Sequence, residues 1–200
     1  MTRMTPLLER NEQFARTYTP TALGMPARQL VIVSCLDHRA DPAIVLGLQL
    51  GDAPVIRNAG GRVTQAVIGD IAYLAFLAEQ LFGQGTADTL FEVAVIHHTQ
   101  CGTGFLADPD LGRRAAEATG QAEAVLEASA VADPHVTVRA DVERLLASPA
   151  VPPSSASPAT YTTSPPGTSP PHRTLATLSS PAPPDARWYW LLSAAPGSWH

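Results

Sequence analysis

Hydrophobic positions in the first 150 residues follow two rhythms. Short continuous apolar runs rich in β-branched residues alternate with longer segments whose apolar positions recur every three to four residues. The runs "QLVIVSC", "APVIRNAGG", "LFEVAVIHH" and "HVTVRA" read as four buried strands. "LLERNEQFARTY" reads as an amphipathic N-terminal helix. Asp41 and Pro42 offer an N-cap and a first-turn proline to a helix over "AIVLGLQL". Thr64 caps a longer helix over "QAVIGDIAYLAFLAEQLFG", closed by Gly83. Asp108 and Pro109 open a helical region that runs towards "QAEAVLEASA", and "DVERLLAS" is a short helix after the fourth strand. "GQGTADTLFEV" reads as a surface loop leading into the third strand.

Strands alternating with helices predict an α/β fold, a mainly parallel sheet of about four strands flanked by helices. In such a sheet the site lies beyond the carboxyl ends of the strands. Cys35 ends the first strand, and His97, His98 and Cys101 follow the third. Both polar clusters are therefore expected at one edge.

The chemistry starts with "VIVSCLDHRAD", where Cys35, Asp37 and Arg39 stand at every second position. If the strand continued past Cys35, the three side chains would share a face. The second cluster, "HHTQCG", spaces His98 and Cys101 as H-x-x-C, so both can reach one ion from a turn. Two thiolates and an imidazole suit tetrahedral zinc, leaving a fourth position for water or for Asp37.

Composition narrows the setting. The net charge of −5 offers no footprint for nucleic acid or an anionic membrane, and all thirteen basic residues are arginine. The N-terminal segment has no long apolar run, and no stretch reads as approaching a membrane span, so a cytoplasmic protein is expected. Cys35 and Cys101 can in principle form one disulfide, but without export signals a metal or catalytic role is favoured. Residues 1–150 make the folded domain. Residues 151–200 are rich in Pro, Ser, Thr and Ala and are expected to form a disordered tail, although they hold Trp188, Trp190 and Trp199.

Taken in order, "CLDHR", "VIRNAGG" and "HHTQCG" resemble the β-class carbonic anhydrases, and the likeness runs from about Leu7 to Leu146. It is similar to the short bacterial members. The resemblance implies zinc held by Cys35, His98 and Cys101, with Asp37 and Arg39 as a catalytic dyad. Arg39 would keep the Asp37 carboxylate off the metal, where Asp37 orients zinc-bound hydroxide for attack on CO2, giving bicarbonate and a proton. In some members the same Asp swings onto zinc, so Asp37 is either orienter or fourth ligand. The resemblance also implies a homodimer or larger homo-oligomer.

Neighbouring residues have plainer readings. Arg57 is expected in a structural ion pair. His97 and His38 are turned away by strand alternation, and His135 is structural. Asn58, Ala59, Gly60 and Gly61 would form a turn beside the site. Gln100 departs from the family's frequent acidic residue, which points to tuning of the site.

The tail departs further. Family members often end in a strand resembling "GHVYDVATG", whereas this chain has "ATYTTSPPG" over 159–167. GC-rich codons for the first, read one base out of frame, give the second. The expectation is a frame change near residues 151–156, which would weaken subunit association while leaving every ligand in place. Alternatives to hydration are a catalytically impaired zinc protein of this fold, hydrolysis of a CO2-like molecule such as carbon disulfide or carbonyl sulfide, and a Cys35–Cys101 redox pair.

Overall fold

Strand β1 (Leu30–Cys35) lies at the heart of the sheet in the computed structural model, which describes residues 2–84, 92–151 and 156–160. It pairs in parallel with β2 (Val55–Asn58) on one side and β3 (Glu92–His97) on the other. A further strand, β4 (Ala156–Thr160), runs parallel along the outer edge of β3, giving the order β2-β1-β3-β4. The chain leaves β1 for β2, then crosses back over β1 to reach β3. The strand order reverses at the β1/β3 junction, and open α/β sheets place their sites beyond the carboxyl ends of the strands at such a point.

One face of the sheet carries most of the core. Val31 and Val33 of β1 and Val93 and Val95 of β3 are fully buried there. Helix α3 (Gln65–Phe82) packs on them through Val67, Ile68, Ile71 and Ala78, and helix α6 (Pro134–Leu146) through Val138, Val142 and Leu145. Each buried Val, Ile or Leu side chain contributes roughly 1.5–3 kcal/mol of transfer free energy. The opposite face is thinner: Ile32 and Ile96, beside Leu30 and Ala94 of the same strands, pack against Leu46, Leu48 and Ala53.

The local signals explain most boundaries. Helix α1 (Thr5–Thr17) covers the predicted N-terminal segment. The Thr64 hydroxyl accepts from the Val67 amide, and Gly83 ends α3. The Asp41 carboxylate accepts from the Ala43 amide and starts α2, which spans only Pro42–Val45. Its early end corrects the longer helix expected over "AIVLGLQL": Gly47, at φ 66°, turns the chain away. The region after Asp108 divides into α4 (Pro109–Thr119) and α5 (Glu123–Ser129), separated by left-handed Gly120.

Three of the predicted strands lie where the sequence placed them, and the fourth does not. "HVTVRA" is part of α6, continuous with the helix expected after it. Asp133 and Pro134 supply a helix start there, and the Asp133 carboxylate accepts from the His135 and Val136 amides. Val138, Val142 and Leu145 then fall on one helical stripe, which outweighs the β-branched run. The strand count within residues 1–150 is therefore three. β4 is instead drawn from residues expected to be disordered; the rest of that expectation, for 152–155 and 161–200, lies outside the described residues, as does most of the loop expected before β3 (85–91).

A second correction concerns α3. Its 18 residues, with mean hydropathy 1.2, are long and apolar enough by length and composition to cross a membrane. The stripe of Val67, Ile68, Ile71, Ala75 and Ala78 is buried, as in a core helix. The opposite side exposes Tyr73 and Phe76, and Leu81 and Phe82 are exposed where the helix ends.

The turn after β2, Ala59–Gly61, wedges between the ends of β1 and β3. Gly61 sits at φ +67°, and a β-carbon there would lie 2.8 Å from the Cys35 backbone nitrogen and 3.0 Å from the Ile96 carbonyl oxygen. Gly47 shares the left-handed backbone (φ +66°) but faces open space. Conformational strain of about 1–2 kcal/mol applies to both, and overpacking adds about 1–3 kcal/mol at Gly61 alone. Gly61→Ala is therefore expected to lose clearly more stability than Gly47→Ala in equilibrium denaturation. Equal losses would refute the packing account.

Candidate metal centre

β1 ends at Cys35, and β3 ends one residue before His98. The turn Thr99–Gln100 then returns Cys101 to the same spot. The ligand atoms of Cys35, His98 and Cys101 all lie within 4.8 Å of one another, and all three residues are buried. The two sulfurs are 3.7 Å apart. Two ligands at about 2.3 Å on tetrahedral bonds stand about 3.8 Å apart, so the sulfur pair has the spacing of a shared ion. A disulfide would need the sulfurs to close to about 2.05 Å, and both cysteines are free.

His98 carries a further indication. Its Nδ1 hydrogen-bonds the Thr99 carbonyl at 2.9 Å, which makes Nδ1–H the donor and leaves a lone pair on Nε2. That Nε2 is buried, and it is the only buried side-chain nitrogen or oxygen without a hydrogen-bond partner among the described residues. A cation beside the two sulfurs satisfies it. The donor set of two thiolates and one imidazole fits zinc.

The hydrogen bond from Cys35 holds Cys101 well below the ordinary thiol range, while the same contact and burial push Cys35 up.

Asp37 and Arg39 stand beside the cluster, but not by strand alternation. The strand stops at Cys35, and Asp37 caps a 3-10 turn over His38–Ala40. The Asp37 carboxylate accepts from the Arg39 amide and, in a fork, from Arg39 Nε at 2.9 Å and Nη2 at 2.6 Å. This bidentate pair holds the Asp37 carboxyl far below the usual range. Asp37 Oδ2 is 4.0 Å from His98 Nε2. Arg39 Nη2 also donates to the Gln100 carbonyl at 2.9 Å. Gln100 adopts φ 55°, rare for a residue with a side chain, and that conformation aims its carbonyl at the guanidinium.

The neighbours divide as follows. Arg57 forms the expected ion pair, with Asp41 at 2.8 Å, and donates to the carbonyls of Cys35 and Asp37, bracing the loop between them. His38 is exposed, and its Nδ1 lies 3.9 Å from Asp37 Oδ1; alternation does not govern a residue outside the strand. His97 is buried outside the ligand cluster, with Nδ1 on Thr137 Oγ1 at 2.8 Å and Nε2 on the Gly61 carbonyl at 3.2 Å.

Sequence reasoning missed the network behind His97. Arg62 places Nε 2.6 Å and Nη2 3.1 Å from the fully buried Asp141 carboxylate, and Nη1 on the carbonyls of Ala128 and Ala130. Asp141 Oδ2 also lies 3.3 Å from His97 Nε2. The signal was hidden because Asp141 belongs to the helix misread in part as a strand. Burial alone would raise the Asp141 carboxyl; the hydrogen bonds of His97 and Arg62 outweigh it and hold the group low.

Comparisons with known proteins agree with this arrangement. The profile of the family described as carbonic anhydrase matches residues 30–152. β-Carbonic anhydrase 1 of Mycobacterium tuberculosis is 33% identical over 120 residues, 60% of this chain and 68% of that protein. A carbon disulfide hydrolase of Saccharolobus solfataricus is 39% identical over 80 residues, 40% of this chain and 34% of its own length. The crystal structure of carbonic anhydrase from Streptococcus mutans superposes with a TM-score of 0.61 at 30% identity, covering 81% of this chain and 93% of that one.

Replacing Asp141 by Asn leaves the Arg62 guanidinium buried without its counter-charge, a loss of about 3–5 kcal/mol at neutral pH. The native carboxyl is lowered, so its contribution is complete above the unfolded value near 3.9 and is lost as pH falls through the native value. Denaturation of both proteins should show a wide gap at pH 7 that narrows in acid. A gap that widens in acid would overturn this assignment.

Proposed function

The chain belongs to the β-class carbonic anhydrases, and we propose that Cys35, His98 and Cys101 hold a zinc ion at which CO2 is reversibly hydrated to bicarbonate and a proton. The observation that carries this reading is the partnerless, buried Nε2 of His98 beside two sulfurs 3.7 Å apart. Zinc supplies a Lewis acid that brings the acidity of a bound water close to pH 7.

The chain's own residues manage the fourth position. The Thr99 carbonyl fixes the tautomer of His98. Arg39 keeps Asp37 ionised and occupies both of its carboxylate oxygens, so the carboxylate faces the cluster without joining it. Asp37 Oδ2, 4.0 Å from His98 Nε2, would accept a hydrogen bond from a water held at the ion and orient it towards CO2. The Gln100 carbonyl holds Arg39 in place for this task. Release of Arg39 would leave the Asp37 carboxylate free to serve as a further donor to the ion.

The reading extends to a homodimer. Helix α1 has no buried residue and exposes Leu7, Leu8 and Phe14, with Met4 exposed just before it. An isolated helix of 13 residues is marginal in water, so α1 needs a surface to lie on. The exposed Tyr73 and Phe76 of α3 offer a matching apolar surface on a second copy.

Stopped-flow hydration of CO2 with a pH indicator tests the activity. Zinc-loaded protein should turn over, Cys35→Ser should not, and Asp37→Asn should lose about 10²-fold in kcat/KM while retaining metal. Equal rates for the wild type and Cys35→Ser would refute the reading. Sedimentation velocity tests the assembly: the wild type should sediment as a dimer and Leu7→Glu/Phe14→Glu as a monomer. A monomeric wild type would remove the α1 argument.

A further inference from the structure

The two ligand sulfurs have unequal surroundings. Cys35 Sγ lies 3.4 Å from the Asp37 amide, a backbone donor. Cys101 Sγ lies 3.1 Å from Thr103 Oγ1, a side-chain hydroxyl in the 3-10 turn Gly102–Ala107. A thiolate has only acceptor capacity, so between these two atoms the hydroxyl is the donor.

Gly60 makes the approach possible. Its backbone sits at φ +81°, and a β-carbon there would lie 3.0 Å from Thr103 Oγ1 and 2.9 Å from the Ser129 carbonyl oxygen. A side chain at this position would crowd the hydroxyl. Thr103 is half-buried, and among the described residues its hydroxyl is paired with Cys101 Sγ.

We infer that Thr103 is a positioning residue for the metal: by donating its hydroxyl to Cys101 Sγ, it orients that thiolate, stabilises its lone pairs and adds to its hold on the ion. The inference rests on the zinc reading above. Hydrogen bonding to a ligand stabilises its lone pairs, and loss of such outer contacts costs about 10- to 100-fold in metal affinity. The sulfur lone pairs are also the donor orbitals of the thiolate-to-metal charge-transfer band, so removing the hydrogen bond lowers the energy of that band.

Cobalt(II) in place of zinc reports this directly. In full-length protein, Thr103→Val keeps the shape and deletes the donor, and Thr103→Ser keeps the donor. The expected result for Thr103→Val is a sulfur-to-cobalt band moved to longer wavelength and zinc held about tenfold more weakly in competition with a chromophoric chelator. Thr103→Ser should match the wild type in both. Should Thr103→Val fail to fold, Thr103→Ala is read against Thr103→Ser in the same way. A hydroxyl-free variant with wild-type band and affinity, or Thr103→Ser displaced as far as Thr103→Val, overturns the inference. Absence of any sulfur-to-cobalt band in the wild type would instead remove the zinc reading beneath it.

Discussion

Parallel pairing of β1 with β3, with Ser34 opposite Ile96, brings Cys35 and the turn that begins at His98 out of the sheet side by side. The register is not free to slip. Val31 and Val33 face one side, and Ile32 and Ile96 face the other, and all are buried. A shift of one residue would exchange the faces along a whole strand. A metal cluster needs its ligands placed to a fraction of an ångström, and rigid strand ends provide that better than loops. The hydrophobic alternation of the sheet thus fixes the geometry of the polar cluster at its edge. Gly61 completes the arrangement, since the β2 turn reaches both strand ends only without a β-carbon.

Three arginines surround this edge, and their burial sorts them by what they can do. Arg62 and Asp141 are 8% and 0% exposed, and the guanidinium also satisfies two carbonyls. Separating such a pair leaves a buried charge unpaired, so it acts as a fixed brace between the β2 turn and α6. Arg57 braces the loop after β1 by gripping two of its carbonyls. Arg39 is different, with 46% of its side chain exposed. Water compensates an exposed guanidinium, and the worth of its ion pair is correspondingly small. Of the three arginines, Arg39 is the one whose release would leave no buried guanidinium behind, which is what the proposed movement of Asp37 needs.

The sequence made the strand ends legible because chemistry and pattern coincided there. Cys35 closed an apolar run, and His98 and Cys101 followed another, so the fold rule alone brought them together. The dyad was found for a partly wrong reason. Its residues meet through an Asx-capped turn, whose signature is local hydrogen bonding and not period two. The Arg62–Asp141 brace was illegible, because it joins residues 79 apart and one of them lay beside a segment whose valines and threonine imitate a strand. The Thr103 contact was equally hidden, since a threonine two residues past a ligand has no periodic signal. Only the fold brings Gly60 to the place that makes room for it.

The outer edge of the sheet shows how little side-chain information a strand there needs. β3 buries Val93, Val95, Ile96 and His97, and without a neighbour its outer backbone groups would lack partners. β4 supplies them from Ala-Ser-Pro-Ala-Thr, a sequence of weak strand preference. Backbone pairing does not discriminate between side chains, and Pro158, opposite Val95, stands on an edge strand, where a missing N–H is tolerated. On the reading that the tail is translated out of frame, this matters directly. A change of frame replaces every side chain but keeps the peptide, so the edge of β3 still finds a strand in register. What such a change removes is the side-chain surface that the strand would have offered to another subunit. The effect of an altered tail then falls on association, while Cys35, His98 and Cys101, fixed by β1 and β3, keep their geometry.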